Sequence, residues 1–220
     1  MNKKNLTIEI LKQEAVKYSK EQSSIRHERL VGITDGKAVG TYFEHLFKEY
    51  LIKRYSIDTG SSASGIDLPD KHIVTDIKVT SSRQPQSSTP FRDAKQKIFG
   101  LGHNLLVFVY IKDDSKENNF RIINVTFINS KQTADYTTTK RLIEMKKDGA
   151  NKEDIIAYLM DRNIPGDDIT LEKISEQILV NKLEQGYLTI SNALQWRLQY
   201  SRVISLDNQV EGVFNHVAGK

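Results

Sequence analysis

Hydrophobic positions recur at helical spacing near the start of the chain. Between Leu6 and Lys20 they fall at Ile8, Ile10, Leu11, Ala15 and Tyr18, the rhythm of one helix face. A second stripe, Val39, Phe43, Leu46, Phe47, Tyr50 and Leu51, predicts a helix over Lys37–Tyr55, with Asp35-Gly36 as its start signal. The Gly/Ser-rich stretch Thr59–Gly65 predicts a loop. The rhythm then becomes alternation. Ile66–Leu68 and Ile73–Thr80 read as short strands around the turn Pro69-Asp70-Lys71-His72. In the second of them Ile73, Thr75, Ile77 and Val79 alternate with Val74, Asp76, Lys78 and Thr80. Arg83–Pro90 predicts a polar loop and Phe91–Leu101 a helix. Leu105–Ile111 is a near-continuous apolar run, as in a strand covered on both faces. Phe120–Ile128 alternates and is expected to pair beside it, with Lys112–Asn119 as the turn.

After Ser130 the pattern turns helical, over Thr139–Lys147, Lys152–Asn163, Thr170–Leu183 and Ser191–Ile204. The breaks are Asp148-Gly149, Ile164-Pro165-Gly166 and Gln185-Gly186. The expected fold class is α/β: a mixed central sheet flanked by helices over residues 1–130, then a mostly helical part over 131–220, forming one compact domain.

Composition narrows the classes. Hydrophobic residues make up 38% of the 220 and aromatics 8%, enough for a packed core. Cysteine is absent, which excludes disulfides and thiolate metal sites. No run approaches the ~18 apolar residues of a membrane span. The basic start, Met1–Leu6, is not followed by an apolar secretion segment, so a cytoplasmic protein is expected. A formal charge of +4 is compatible with a polyanionic partner and carries little weight alone.

The chemistry concentrates in the predicted hairpin. Closed through Pro69–His72, it sets Asp67 opposite Asp76, and facing residues project from the same side ~5 Å apart. Lys78, two residues on, shares that face by the period of a strand. Two carboxylates and an ammonium around one point suit phosphodiester cleavage. That reaction needs a held divalent ion, an activated water and neutralisation of phosphate charge. Mg²⁺ takes oxygen ligands, with one or two carboxylates from protein. A bare Asp-x-Lys usually marks a solvated strand face. Here apolar neighbours Val74, Ile77 and Val79 imply partial burial, where unpaired charge is costly. Asp70, next to Pro69, is the alternative first acid, but a turn is a favoured place for a structural Asp.

The strings Gly65-Ile66-Asp67 and Thr75-Asp76-Ile77-Lys78-Val79-Thr80-Ser81 resemble the PD-(D/E)xK nuclease superfamily. Among its members they look most like type II restriction endonucleases of the EcoRV and HincII kind. The likeness extends more weakly to Gly36-Lys37-Ala38-Val39-Gly40-Thr41-Tyr42-Phe43-Glu44, about a third of the chain in all. It implies a restriction-endonuclease-like fold, Mg²⁺ as cofactor, Asp67, Asp76 and Lys78 as catalytic residues, and Glu44 as a further acid of the metal site. Glu44 and Lys48, four apart on a helix, could equally form a plain surface pair.

DNA-contact candidates fall in two stretches. Arg83, Gln84, Gln86 and Ser87 follow the catalytic strand and suit phosphates or base edges, though an ordinary surface loop has the same look. Asn192, Gln195, Arg197, Gln199 and Arg202 carry side chains suited to adenine and guanine edges. Ile190, Leu194, Trp196, Leu198 and Val203 beside them belong to a core. The five histidines show no metal-ligand spacing, and neither a P-loop nor a nucleophile elbow is present.

The reading is a type II restriction endonuclease that cuts double-stranded DNA at a short specific sequence with Mg²⁺. It is expected to act as a homodimer on a palindromic site, with a cognate DNA methyltransferase as genetic partner. The rivals are a repair or junction nuclease of the same fold and a non-catalytic DNA-binding protein.

Overall fold

The structure, a computed structural model, describes residues 3–59, 65–90, 92–191, 196–206 and 210–218. In chain order its elements begin with β1 (Lys4–Asn5), α1 (Ile8–Ser23), α2 (Gly36–Arg54), β2 (Tyr55–Ser56), β3 (Thr75–Ser81), β4 (Gln86–Thr89) and α3 (Gln96–Phe99). They continue with β5 (Asn104–Lys112), β6 (Phe120–Ile128), α4 (Tyr136–Lys147), α5 (Lys152–Asp161), α6 (Asp168–Val180), β7 (Thr189–Ser191), β8 (Trp196–Gln199) and β9 (Val213–Val217). The class is mixed α/β. None of the described helices is long and apolar enough to cross a membrane.

The chain divides into two compact units. The first comprises residues 1–86, 103–129 and 203–220, and the second 87–102 and 130–202.

The first unit is a mixed sheet in the order β3-β5-β6-β9. β3 runs parallel to β5, whereas β5–β6 and β6–β9 are antiparallel. Asn104 to Tyr110 of β5 are all buried, as the unbroken apolar run requires. α1 packs on β6 and α2 on β3. Each helix starts where its cap residue dictates. Thr7 accepts from the Ile10 N–H, and Asp35 accepts from those of Lys37 and Ala38. Leu11, Tyr18, Phe43, Phe47, Ile77, Phe108 and Phe127 meet in one core. Gly40 lets α2 lie close to β3, since a Cβ there would come within 3.1 Å of the Val79 carbonyl oxygen.

The second unit combines α3–α6 with a three-stranded sheet, β4-β8-β7. Ile98, Leu142, Ile155, Leu159, Ile174 and Ile178 fill its helical core. Asp135 caps α4 through the Thr138 N–H and accepts from the Ile190 N–H at 2.9 Å, joining helix to sheet.

Several expectations need correction. Of the helix expected over Ser191–Ile204, Ser191 ends β7, Trp196–Gln199 is β8 and Val203–Ser205 is a 3-10 turn, while 192–195 lie outside the described residues. Trp196, Leu198 and Tyr200 are buried while Arg197 is exposed, a period of two. The loop expected over Arg83–Pro90 contains β4, and of the helix expected over Phe91–Leu101 the described residues, 92–101, form only the four-residue α3. The strand expected over Ile66–Leu68 is a single antiparallel bridge, Leu68 to Thr75.

Candidate active site

That bridge sets the register of the hairpin. Leu68 and Thr75 exchange both backbone hydrogen bonds at 2.9 Å. Antiparallel pairing therefore makes Asp67 the counterpart of Asp76. Asp70 is occupied elsewhere: its carboxylate accepts from the His72 N–H and its carbonyl from Ile73 and Val74. It builds the turn.

Four predicted residues come together in the first unit. Lys78 Nζ lies 2.7 Å from Asp76 Oδ2. Asp76 and Asp67 face each other closely enough that each shifts the other's titration. Asp67 Oδ2 accepts from the Ile77 backbone N–H at 2.9 Å. On α2, Glu44 joins through Lys48, whose Nζ is 2.8 Å from Glu44 Oε1 and 2.9 Å from Asp67 Oδ1. Glu44 and Lys48 do form the pair that helical spacing allows, and the same lysine ties that pair to the hairpin.

The cluster is crowded with negative charge. The Asp76 side chain is only 5% exposed. Burial, reinforced by neighbouring Asp67, outweighs the attraction of Lys78 and pushes its carboxyl up to about 7. Glu44 is raised, chiefly by burial. Burial also acts on Asp67, but neighbouring Asp76 and hydrogen bonds from the Ile77 N–H and Lys48 together hold it below the usual range. The inner pair thus favours one shared proton, as two adjacent buried carboxylates do.

Two members escaped the sequence reading. Lys48 was visible only as a helical neighbour of Glu44. His103, just before β5, has Nε2 3.8 Å from Asp76 Oδ2. Only the parallel β3–β5 register brings it there.

Among the described residues no three His, Cys, Asp or Glu side chains form a ready-made metal cage. Asp67 and Asp76 nevertheless offer paired carboxylate oxygens, which suits a hard dication needing one or two carboxylates.

The other candidates scatter. Arg83 and Gln84 are exposed after β3, in the first unit. Gln86 is half-buried, its N–H donating to Thr80 Oγ1 at 3.0 Å. In the second unit the Ser87 hydroxyl hydrogen-bonds to Tyr200, and the Arg202 guanidinium stacks 3.8 Å above the Tyr136 ring. Arg197 is exposed and Gln199 half-buried on β8. Asn192 and Gln195 lie outside the described residues.

The family described as type II restriction enzyme NspV matches residues 5–215, nearly the whole chain. The chain belongs to the NspV family of type II restriction enzymes. It is similar to the type II restriction enzyme NspV of Nostoc sp., with 48% identity over 211 residues, covering 94% of this chain and 95% of that one. No solved structure matches. The acid–lysine hairpin is therefore the candidate active site of an NspV-family nuclease.

Proposed function

We propose that this NspV-family enzyme hydrolyses phosphodiester bonds of double-stranded DNA at a short specific sequence, using Mg²⁺ in a PD-(D/E)xK-type centre. The supporting observation is the convergence of Asp67, Asp76 and Lys78 at one end of the hairpin, with Lys78 Nζ 2.7 Å from Asp76 Oδ2.

In this reading Asp67 and Asp76 hold the ion and Glu44 adjoins them. A bound Mg²⁺ would polarise the scissile phosphate and acidify an attacking water. Lys78, anchored by Asp76, orients that water and neutralises charge developing on the phosphate. His103 Nε2 lies 3.8 Å from Asp76 Oδ2, beside the ion-holding pair. Asp76 must release its proton before it serves as a ligand, and Lys78 favours that release.

Base recognition is assigned to the outward face of the β7–β8 pair. Thr189 pairs with Gln199 and Ser191 with Arg197, so these four side chains share one face while Ile190 and Leu198 occupy the other. Thr189 and Arg197 are exposed, Ser191 and Gln199 half-buried. Arg and Gln suit guanine and adenine edges in the major groove. Arg83 and Gln84 would add contacts beside the cutting site. Cleavage of both strands at a palindrome calls for a homodimer, and a cognate methyltransferase is expected to protect the host site.

Plasmid digestion with Mg²⁺, followed by sequencing of the ends, tests the reading. Wild type should give discrete bands with one common end sequence. Asp76→Asn and Lys78→Ala should each lower cleavage at least ~10³-fold with the fold preserved by circular dichroism. Cutting only at junctions, or full activity in both variants, would overturn it.

A further inference from the structure

Lys48 is the cation of the cluster for which the cleavage chemistry just proposed has no use. Its ammonium lies between acids from different elements, 2.8 Å from Glu44 Oε1 on α2 and 2.9 Å from Asp67 Oδ1 on the hairpin. The side chain is 17% exposed, so water screens these contacts weakly. Asp67 uses its other oxygen, Oδ2, to accept from the Ile77 N–H. The lysine therefore occupies the opposite side of the carboxylate. Without a cation between them Glu44 and Asp67 repel, and that repulsion is one of the causes that raise Glu44.

We propose that Lys48 is a positioning residue whose ammonium acts as a resident counter-cation: it clamps Glu44 to Asp67 in the metal-free protein and yields Asp67 Oδ1 when a divalent ion enters. The inference rests on the reading that Asp67 and Asp76 bind the metal. It makes Lys48 a built-in competitor, which keeps the acids assembled yet weakens the ion's hold. A lysine of merely structural value behaves in the opposite way, since its loss loosens the acids and weakens metal binding.

Calorimetric titration with Ca²⁺ in the absence of DNA separates the two. Removing a unit charge from a dication's neighbourhood should tighten binding by Lys48→Met about tenfold, near 1.4 kcal/mol. The metal-free variant should also melt lower than wild type, and Ca²⁺ should raise its Tm by more. Binding by Lys48→Met equal to or weaker than wild type overturns the proposal. Asp76→Asn should abolish Ca²⁺ binding. If that variant binds as wild type does, the metal-site reading itself falls. If Asp76→Asn loses Ca²⁺ while Lys48→Met leaves the affinity unchanged, only the counter-cation role fails.

A measurement on the wild-type chain covers the case in which Lys48→Met does not fold. With ε-¹³C-lysine label, assigned by means of Lys48→Arg, the Lys48 signal should shift saturably on Ca²⁺ addition. A signal that stays put at saturating Ca²⁺ also overturns the proposal.

Discussion

Burying a carboxylate costs free energy that partners must return, and at Asp76 the return is incomplete. Its carboxyl is pushed up to about 7, first by burial. Between the ordinary value and that one the folded chain keeps a proton which the unfolded chain has released. Stability therefore falls as pH rises through this window, by at most about 1.4 kcal/mol per pH unit, and levels off above it. Glu44 is raised in the same sense. Asp67 is lowered, so its contribution is present above its ordinary value and is lost on acidification. Melting temperatures measured in chelator should decline from about pH 4 to about pH 7 in wild type and decline less in Asp76→Asn. Parallel profiles would show that Asp76 carries no such penalty. The hairpin partners Asp76 and Lys78 were readable because a strand's period fixes which neighbours share a face. Lys48 was not, because its bond to Asp67 spans 19 positions and depends on how α2 meets the hairpin.

Long elements announce themselves and short ones do not. α2, β3, β5 and β6, together with α4 to α6, carry enough periodic residues to be seen in sequence. β4 is Gln-Ser-Ser-Thr between prolines at 85 and 90, with no apolar alternation to mark it, and long-range pairing with β8 creates it. The period of two at Trp196, Leu198 and Tyr200 was present, but a helical assignment of the neighbouring residues obscured it. β7 similarly depends on a distant side chain, that of Asp135. This buried carboxylate accepts from the Thr138 N–H and hydroxyl with one oxygen and from the Ile190 N–H with the other. Asp135→Ala should destabilise the protein by about 3 kcal/mol, combining a lost cap with an orphaned sheet donor. Asp135→Asn, which keeps one acceptor, should cost about half as much. Urea denaturation provides the comparison, and equal stability of Asp135→Ala and wild type would contradict the account.

At the scale of the whole molecule, nothing periodic in the chain signals which segments belong to the same compact unit. The elements could be anticipated, but their partition follows from pairings such as β6 with β9, between residues some 90 positions apart. If two strands of a palindrome are cut together, the DNA complex should contain two chains, checked by light scattering with Ca²⁺ in place of Mg²⁺. A single chain per duplex would rule out the symmetric arrangement. The route of the backbone has a further consequence. The second unit, which carries the β7–β8 pair, is encoded in two stretches, 87–102 and 130–202, separated by strands of the sheet that bears the acid–lysine cluster. No single contiguous piece of gene corresponds to it. Exchanging this unit for a relative's would therefore take two coordinated insertions, whereas the β7–β8 pair alone, lying within 130–202, could be moved as one stretch.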